Sequence, residues 1–386
     1  MSGLFSTYVP QDRRQALARG QDLPDRMWGA ALFADISGFT PLAESLSLAL
    51  GPQLGAEELT GLLNRVFGAL ITEVERYGGS VIGFAGDAIT CWFDDRSGEF
   101  AALRGALDSP DTQHATPHTP HWAATLRAAA CGLAMQCAMA PFAEVAIRQG
   151  VAARLAVKVA VAAGPARRFL VGDPQRGLLE VLAGSTLDRL AAAERLALRG
   201  EVVLEAESAN GLAGCLDIAG WREAGGVRVA VVGGLRSAVR PDPWPALADA
   251  DLPPELARRW IALAVAERIE ASGHLLAQLR PAVALFLQFG EIDYDGDDRA
   301  GPLLDAYVRD VQSVVAHFGG CLVQLTIGDK GSYAYAVFGA PHAHDDNAAR
   351  AVEAALALRA SPPHAPIRTV RIGVAQGWMY AGSYGG

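Results

Sequence analysis

Residues 31–41 of the chain read Ala-Leu-Phe-Ala-Asp-Ile-Ser-Gly-Phe-Thr-Pro. The apolar run that ends at Asp35 is typical of a buried strand. Gly38 follows in a turn, and Pro41 suits the first position of a helix, which makes Thr40 the expected N-cap. The stretch therefore predicts a strand, a glycine-containing turn and a helix. Such a turn presents free backbone N–H groups, and these form a physical site for polyphosphate.

The pattern around this stretch returns later in the chain. Three blocks recur in the same order: residues 31–35 with 284–288, residues 77–87 with 318–329, and residues 158–164 with 371–377. Each block contains a short apolar run of the strand type, and glycines follow or precede it. A repeat of this length decides the architecture before any single motif does.

Helical spacing of apolar residues fills the intervals between the blocks. It occurs at residues 57–77 and 122–139 in the first copy and at residues 303–318 and 345–359 in the second. Each copy therefore predicts the ferredoxin-like order βαββαβ, an α+β fold with helices on one side of a mainly antiparallel sheet. Two such units would pair face to face within the chain.

The repeat also predicts the domain boundaries. A first domain is expected at residues 28–232, a linker at residues 233–280 and a second domain at residues 281–386. Three prolines stiffen the start of the linker, between residues 240 and 245. Two domains agree with 386 residues, since a domain usually holds about 100–200.

Composition excludes several classes of protein. With 51% hydrophobic and 19% charged residues the chain is expected to fold. Its 33 basic and 42 acidic residues give a net charge of −9, which argues against a nucleic-acid partner. The longest charge-free apolar stretch, residues 128–143, is shorter than the roughly 20 residues that span a bilayer. No signal peptide is recognisable either. We therefore expect a cytoplasmic protein without a membrane partner.

Two aspartates stand out as candidate metal ligands. Asp35 ends the first strand of the repeat, and Asp87 lies at the tip of a hairpin between strands at residues 80–84 and 89–93. If those strands are neighbours, both carboxylates lie beside the phosphate-binding turn. Mg²⁺ prefers one or two carboxylates together with substrate phosphates. Taken alone, however, the residues favour ordinary cap and turn roles for both aspartates.

A family resemblance changes that balance. Residues 33–40, Phe-Ala-Asp-Ile-Ser-Gly-Phe-Thr, with Phe-Ala-Gly-Asp-Ala at 84–88, closely resemble class III nucleotidyl cyclases. Leu-Arg-Pro at 279–281, Asp-Lys-Gly at 329–331 and Val-Phe-Gly-Ala-Pro at 337–341 resemble the tandem soluble adenylyl cyclase branch. The resemblance implies an adenylate cyclase that converts ATP to 3′,5′-cyclic AMP and pyrophosphate. Its two cyclase palms would form an intramolecular pseudo-dimer with two-metal catalysis at their interface.

The same resemblance implies a role for each site residue. Asp35 and Asp87 would hold two ions, Mg²⁺ or Mn²⁺, and the carbonyl of Ile36 would assist one of them. Lys158 would bind the triphosphate and Lys330 would read the adenine edge, although a solvated surface position is an alternative for either lysine. The phosphates would lie on the backbone of Ser37, Gly38, Phe39 and Thr40.

The second copy departs from the family pattern. Gln288 stands where the first copy has Asp35, so the pseudo-dimer should have one productive site and one degenerate site. The positions that match the bicarbonate-binding lysine and arginine of mammalian-type soluble cyclases are Gly83 and Ala191. Neither side chain carries a charge, so we expect no activation by bicarbonate at the degenerate site.

The second palm is also expected to be truncated. The first copy continues well beyond Gly164, whereas the sequence ends soon after Gly377, which occupies the same place in the second copy. The family's transition-state asparagine and arginine would follow that strand. Because an electrostatic contribution of this type is large, we expect this chain to bind nucleotide and to turn it over weakly or not at all. Further regulatory domains could follow in the protein.

Two other functions share features of this sequence. A catalytically silent, cyclase-like module could sense nucleotide and regulate a downstream domain, but the intact pair of Asp35 and Asp87 argues against it. A diguanylate cyclase-like palm shares the glycine pair and an acidic hairpin. In this chain Gly78 and Gly79 precede the strand rather than the hairpin tip, so that alternative ranks last.

Overall fold

A computed structural model describes residues 5–95, 122–146, 152–248, 251–272, 278–328, 331–361 and 366–382. These residues form an eight-stranded sheet, a four-stranded sheet and a two-stranded ribbon, with helices packed on the larger sheets. The structure is thus of the mixed α+β type, as the sequence predicts.

The strands are numbered in chain order. They are β1 (Arg26–Ser37), β2 (Ser80–Ala85), β3 (Ala88–Asp94), β4 (Val145–Ala146), β5 (Ala152–Ala153), β6 (Ala156–Val171), β7 (Leu179–Ala183), β8 (Val202–Glu205), β9 (Leu216–Ala224), β10 (Val227–Leu235), β11 (Gln278–Phe289), β12 (Cys321–Gly328), β13 (Gly331–Phe338) and β14 (Val370–Ala381).

The α-helices are numbered in the same way. They are α1 (Gln11–Ala18), α2 (Phe39–Leu50), α3 (Pro52–Arg76), α4 (Trp122–Ala138), α5 (Ser185–Glu194), α6 (Ala206–Gly211), α7 (Pro254–Ala257), α8 (Leu263–Ser272), α9 (Ala300–His317) and α10 (Asn347–Ala360). Short 3₁₀ turns follow α4 and α7.

The two larger sheets share one strand order. The first runs β2-β3-β1-β6 and continues into β8-β10-β9, and the second runs β12-β13-β11-β14. Asp35 of β1 lies opposite Lys158 of β6, while Gln288 of β11 lies opposite Arg371 of β14. Gln288 and Asp35 therefore occupy the same place in the two sheets, which is the correspondence that the sequence repeat predicts.

The first sheet is covered on both faces, not on one face as expected. Ala30, Leu32 and Ala34 of β1 pack into a core with α3 and α4. Ala31, which points the other way, packs into a second core with Leu187 of α5. Because successive side chains of a strand alternate between faces, nearly every residue of β1 is apolar. The repeated blocks do not predict α5, because Ser185–Glu194 lie outside them.

The two larger sheets contact each other directly. Phe169 and Val171, at the end of β6, join the core of the second sheet. The backbone N–H of Ser185 donates to the carboxylate of Asp295 at 2.9 Å, so the start of α5 is tied to the loop before α9. These contacts belong to residues on both sides of the predicted linker.

A buried ion network fixes helix α1 to the strands β6 and β7. The guanidinium of Arg168 pairs with Asp12 and with Glu180, the latter at 2.6 Å, and Arg13 pairs with Glu180 at 2.8 Å. All four residues are buried or nearly so. The backbone N–H of Asp12 also donates to Oγ of Ser80, at 2.9 Å, which joins α1 to β2.

Of the described residues, one helical stretch, Trp122–Phe142, has the length and apolar character that could cross a membrane. In the structure 61% of its apolar window is buried inside the protein, against the first sheet.

Candidate functional site

The turn after β1 begins the site. β1 ends at Ser37 and α2 begins at Phe39, with Gly38 as the N-cap residue at φ +99°. The prediction that Thr40 caps a helix beginning at Pro41 is therefore wrong. Glycine reaches this left-handed backbone geometry without strain, which lets the helix start earlier. Pro41 lies in the first helical turn, where the missing N–H has no intrahelical acceptor to lose.

The space around position 38 also favours glycine over a residue with a side chain. A Cβ atom at this position would lie 2.4 Å from the backbone carbonyl oxygen of Arg154. Among the described residues no side chain caps the N-terminus of α2, and Thr40 in its first turn is exposed. The N-terminal end of a helix attracts anions through its free N–H groups and its dipole. The turn at residues 37–40 is thus chemically suited to a phosphate group.

The hairpin of β2 and β3 brings Asp87 to this turn. Gly86 and Asp87 form the hairpin tip, with Gly86 at φ +65°. The backbone N–H of Ile36 donates to the backbone carbonyl of Asp87 at 3.1 Å. In addition, Asp35 lies opposite Ala88 in the pairing of β1 with β3. The two predicted metal ligands are therefore brought together by backbone pairing.

The surroundings of Asp87 disfavour the ionised form of its carboxyl group. Burial raises the pKa of its carboxyl above the ordinary value, and the charge of Asp35 raises it further. Lys158 and a backbone hydrogen bond offset part of this effect. A raised pKa means that the ionised form is disfavoured here. A cation placed between the two aspartates would relieve that cost.

Lys158 stands beside Asp35. Its Nζ lies 3.1 Å from Oδ2 of Asp35, and it also pairs with the carboxylate of Glu194 at the end of α5. Burial alone would lower the pKa of Lys158, but the hydrogen bonds to Glu194 and Asp35 outweigh it and raise this pKa. Lys158 is therefore held charged between two carboxylates, and each of the three side chains is about a fifth to a quarter exposed.

Glu194 was missed by the sequence reasoning. Helix α5 lies outside the repeated blocks, and no motif marks its last residue. A signal does exist in the spacing. Leu187 and Leu190 define the buried face of α5, and Glu194 follows Leu190 by one helical turn on the same face. A carboxylate on an otherwise apolar face needs a partner, and Lys158 supplies it.

The donor set fits a hard divalent cation. Asp35 and Asp87 contribute two carboxylates, and in the part of the chain that the structure describes no group of three or more His, Cys, Asp or Glu side chains could hold a metal by itself. Mg²⁺ is commonly held by one or two carboxylates and completes its shell with waters and substrate phosphates. Asp35 already faces a positive group, the ammonium of Lys158.

The matching place in the second sheet has a different chemistry. There the carboxylate is replaced by the neutral amide of Gln288, opposite Arg371. An open cavity of about 530 Å³ lies here, and Phe286 and Tyr333 contribute aromatic walls to it. Lys330, the predicted adenine-reading lysine, lies outside the described residues.

The chain is 25% identical to human adenylate cyclase type 10 over 399 residues, which cover 92% of this chain and 22% of that protein. A rabbit adenylate cyclase type 10 is 43% identical over 61 residues, or 16% of this chain and 4% of that protein. The chain thus spans about a fifth of the length of the curated relatives it matches.

A search of solved structures finds the adenylyl cyclase CyaB from P. aeruginosa, with a TM-score of 0.40 and 22% sequence identity, over 54% of this chain and 94% of that one. No protein-family model matches the chain. The similarity to adenylate cyclase type 10, which covers 92% of this chain, supports a class III nucleotidyl cyclase.

Proposed function

We propose that the chain is the tandem catalytic region of an adenylate cyclase, which converts ATP to 3′,5′-cyclic AMP and pyrophosphate. The observation that carries this proposal is the convergence of Asp35 and Asp87 beside the uncapped N-terminus of α2. Carboxylates next to a phosphate-binding turn form the arrangement that phosphoryl and nucleotidyl transfer require. The similarity to adenylate cyclase type 10 favours ATP as the substrate.

In this proposal the residues of the first unit bind the triphosphate. Asp35 and Asp87 would hold two Mg²⁺ or Mn²⁺ ions, with help from the carbonyl of Ile36, and the backbone of residues 37–40 would receive the phosphates. Bound ions of this type make the ribose 3′-hydroxyl more acidic and stabilise the leaving pyrophosphate. When ATP binds, Lys158 would leave Asp35 and pair with a phosphate oxygen. Glu194 would keep the ammonium group of Lys158 oriented during this change of partner.

The second unit contributes recognition rather than metal binding. Gln288 is neutral, so the pseudo-symmetric site lacks a ligand for Mg²⁺. Lys330 is assigned to the adenine edge of ATP. The two palms, at residues 28–232 and 281–386, pair within the chain, and the contact of Phe169 with the second core supports that pairing. We expect the protein to act in the cytoplasm, without a membrane or nucleic-acid partner.

A second candidate is a nucleotide-binding regulatory module that performs no chemistry. The observation in its favour is the ion pair of Asp35 with Lys158, which keeps one metal ligand engaged. The availability of Glu194 as an alternative partner for Lys158 weighs against it.

One assay separates these candidates. The full-length protein is incubated with ATP and Mn²⁺, cyclic AMP is quantified, and ATP binding is measured in parallel. The variants are Asp87→Ala and, as a matched control, Asp217→Ala on the exposed face of β9. Cyclic AMP that disappears only in Asp87→Ala supports the cyclase. Metal-dependent ATP binding without product supports the regulatory module, and product that persists in Asp87→Ala contradicts the proposed metal site.

A further inference from the structure

The β6–β7 hairpin joins the two units. Its backbone belongs to the first sheet, where β6 pairs with β1 and β7 pairs with β6. Phe169 and Val181, one in each strand, nevertheless lie in the core of the second sheet. The tip of the hairpin, residues 172–178, is hydrogen-bonded to helix α9 and to the linker. The hairpin is therefore part of the first unit by its backbone pairing and of the second unit by its packing.

A glutamine of α9 contacts both ends of the hairpin tip. The backbone N–H of Asp173 donates to Oε1 of Gln312 at 2.7 Å, and Nε2 of Gln312 donates to the backbone carbonyl of Gly177 at 2.7 Å. Gln312 is buried, with 4% of its surface exposed. A carboxamide carries a donor and an acceptor in one plane. This one side chain thus satisfies two backbone groups of the tip that are shielded from water.

A second polar residue of α9 holds the start of the tip. Asp305 precedes Gln312 by seven residues, which is two helical turns, so both side chains lie on one face of α9. The backbone N–H of Gly172 donates to Oδ1 of Asp305 at 2.8 Å. The other carboxylate oxygen, Oδ2, accepts a hydrogen bond from Arg309, also at 2.8 Å, and this pair fixes the orientation of the carboxylate.

The linker contacts the tip from the other side. The backbone N–H of Leu178 donates to the backbone carbonyl of Arg259 at 2.6 Å. A Cβ atom at Gly177 would lie 2.9 Å from Cα of Ala262, so the two backbones are in close contact there. The tip is thus enclosed by α9 and the linker, and both follow the first unit in the chain.

Helix α3 matches α9 in the repeat but cannot make the same contacts. Counting back from the glycine pair that follows each helix, Ile71 of α3 corresponds to Gln312, and Asn64 corresponds to Asp305. Asn64 keeps an acceptor, whereas the side chain of Ile71 has no polar atom. A hairpin tip buried against α3 would leave one N–H and one C=O group unpaired. Each such group lowers the equilibrium constant of pairing about fivefold to 150-fold.

We propose that Gln312 is the specificity-determining residue of the contact between the two units. The surface that it forms with Asp305 and the linker fits the β6–β7 hairpin of the first unit. Helix α3, with Ile71 in the corresponding place, does not accept that hairpin, so a first unit pairs with a second unit and not with another first unit. The inference goes beyond the proposed function, because it concerns which units pair and not what they catalyse.

Hydrogen exchange followed by mass spectrometry tests this role in the full-length protein. Gln312→Ile installs the residue of α3, and Gln312→Met keeps the length of the side chain without its polar atoms. In both variants, peptides within residues 169–183 should exchange at least about fivefold faster than in the wild type, because the hairpin opens more easily. Asp305→Asn retains the Oδ1 acceptor and should exchange as the wild type does. Gln53→Ile, at an exposed position of α3, is the matched control and should also leave the hairpin unchanged.

The exchange of β1 and β3 distinguishes release of the hairpin from unfolding of the first unit. It should stay at the wild-type rate in all of these variants. Hairpin exchange equal to that of the wild type in both Gln312 variants would overturn the inference. Faster exchange that extends over β1 and β3 would overturn it as well, since the first unit would then unfold instead of releasing its hairpin. Neither metal nor nucleotide enters this experiment, so its result is independent of the proposed cyclase activity.

Discussion

The backbone N–H of Ile36 donates to the backbone carbonyl of Asp87 across 3.1 Å, which joins the end of β1 to the tip of the β2–β3 hairpin. Asp35 precedes Ile36 in the chain, so this one bond also brings Asp35 close to Asp87. The proximity of the two carboxylates is therefore built into the backbone. The repulsion between the two carboxylates lowers the stability of the fold, as is common where function requires charge.

Replacing Asp87 with Asn should stabilise the fold while it removes function. Burial and Asp35 raise the pKa of Asp87 above its ordinary value of 3.8, so around that pH the folded chain binds more protons than the unfolded chain. The free energy of unfolding contributed by this group therefore falls as the pH rises through and just above 3.8. Urea denaturation between pH 3 and pH 7 should show Asp87→Asn gaining stability over the wild type as the pH increases.

The matched control for that series is Asp217→Asn, an exposed residue of β9, which should alter the free energy of unfolding by less than about 0.5 kcal/mol. Mn²⁺ affinity should fall more than about tenfold in Asp87→Asn and stay at the wild-type value in Asp217→Asn. A variant that is less stable than the wild type at pH 7 would contradict the electrostatic description of the site.

Glu194→Gln should weaken metal binding indirectly. Lys158 now divides its hydrogen bonds between Glu194 and Asp35. Without the charge of Glu194, Lys158 pairs more strongly with Asp35 and competes with a cation for it. We expect about twofold to fivefold weaker Mn²⁺ binding, the range for partly exposed ion pairs. Calorimetric titration with Mn²⁺ checks this, and unchanged affinity would show that Lys158 does not compete.

The control for Glu194→Gln is Glu207→Gln. Glu207 lies in α6, is 78% exposed and pairs with Arg189 at 3.5 Å. Its removal also takes away one negative charge but leaves Lys158 untouched, so Mn²⁺ affinity should stay at the wild-type value.

Gly38→Ala should destabilise the fold and damage the phosphate-binding turn. An alanine there would have to adopt φ +99°, and its Cβ would meet the carbonyl oxygen of Arg154 at 2.4 Å. The expected loss in the free energy of unfolding is about 1–3 kcal/mol. In contrast, a Cβ atom at Gly61, on the exposed face of α3, would meet none of the described atoms within 4 Å. Gly61→Ala should therefore raise the free energy of unfolding by up to about 1 kcal/mol. Chemical denaturation of both variants compares them, and a neutral Gly38→Ala would rule out the described turn geometry.

Asp12→Ala should be among the most destabilising single substitutions in the chain. It would leave Arg168 fully buried with Glu180 as its remaining carboxylate partner. Breaking a buried pair from one side costs about 3–5 kcal/mol. Burial would raise the pKa of Asp12, but Arg168 outweighs it and lowers the pKa, so this stability is present at neutral pH and lost as the pH falls through the lowered value.

A double-mutant cycle of Asp12→Ala with Arg168→Met measures the coupling by urea denaturation. Because the double variant leaves no uncompensated arginine, it should be less destabilised than the sum of the single variants. Strict additivity of the two changes would mean that the network does not act as a unit.

The sequence predicted those parts of the fold that occur twice. The repeated blocks placed β1, the β2–β3 hairpin and the helices α3 and α9, and they matched Gln288 to Asp35, because apolar periodicity and glycine turns are local signals. Helix α5 was not predicted. Helix α5 and its Glu194 lie outside the repeat, and their position depends on packing against the second face of the first sheet.

The start of α2 illustrates the second limit of local signals. Thr40 and Pro41 form a plausible cap and first position, yet Gly38 caps the helix, since its backbone geometry and the close approach of Arg154 depend on tertiary contacts. For the same reason the contact of Gln312 with the tip of the β6–β7 hairpin was beyond sequence reasoning. It joins two elements that are distant in the chain.

The most direct test of this account counts the Mn²⁺ ions bound per chain, by electron paramagnetic resonance, in the presence of a non-hydrolysable ATP analogue. The proposed site predicts about two ions for the wild type and for the control Asp217→Asn. It predicts loss of binding in Asp35→Asn and in Asp87→Asn. Equal Mn²⁺ binding by the wild type and either of these two variants would contradict the assignment of Asp35 and Asp87 as the metal ligands.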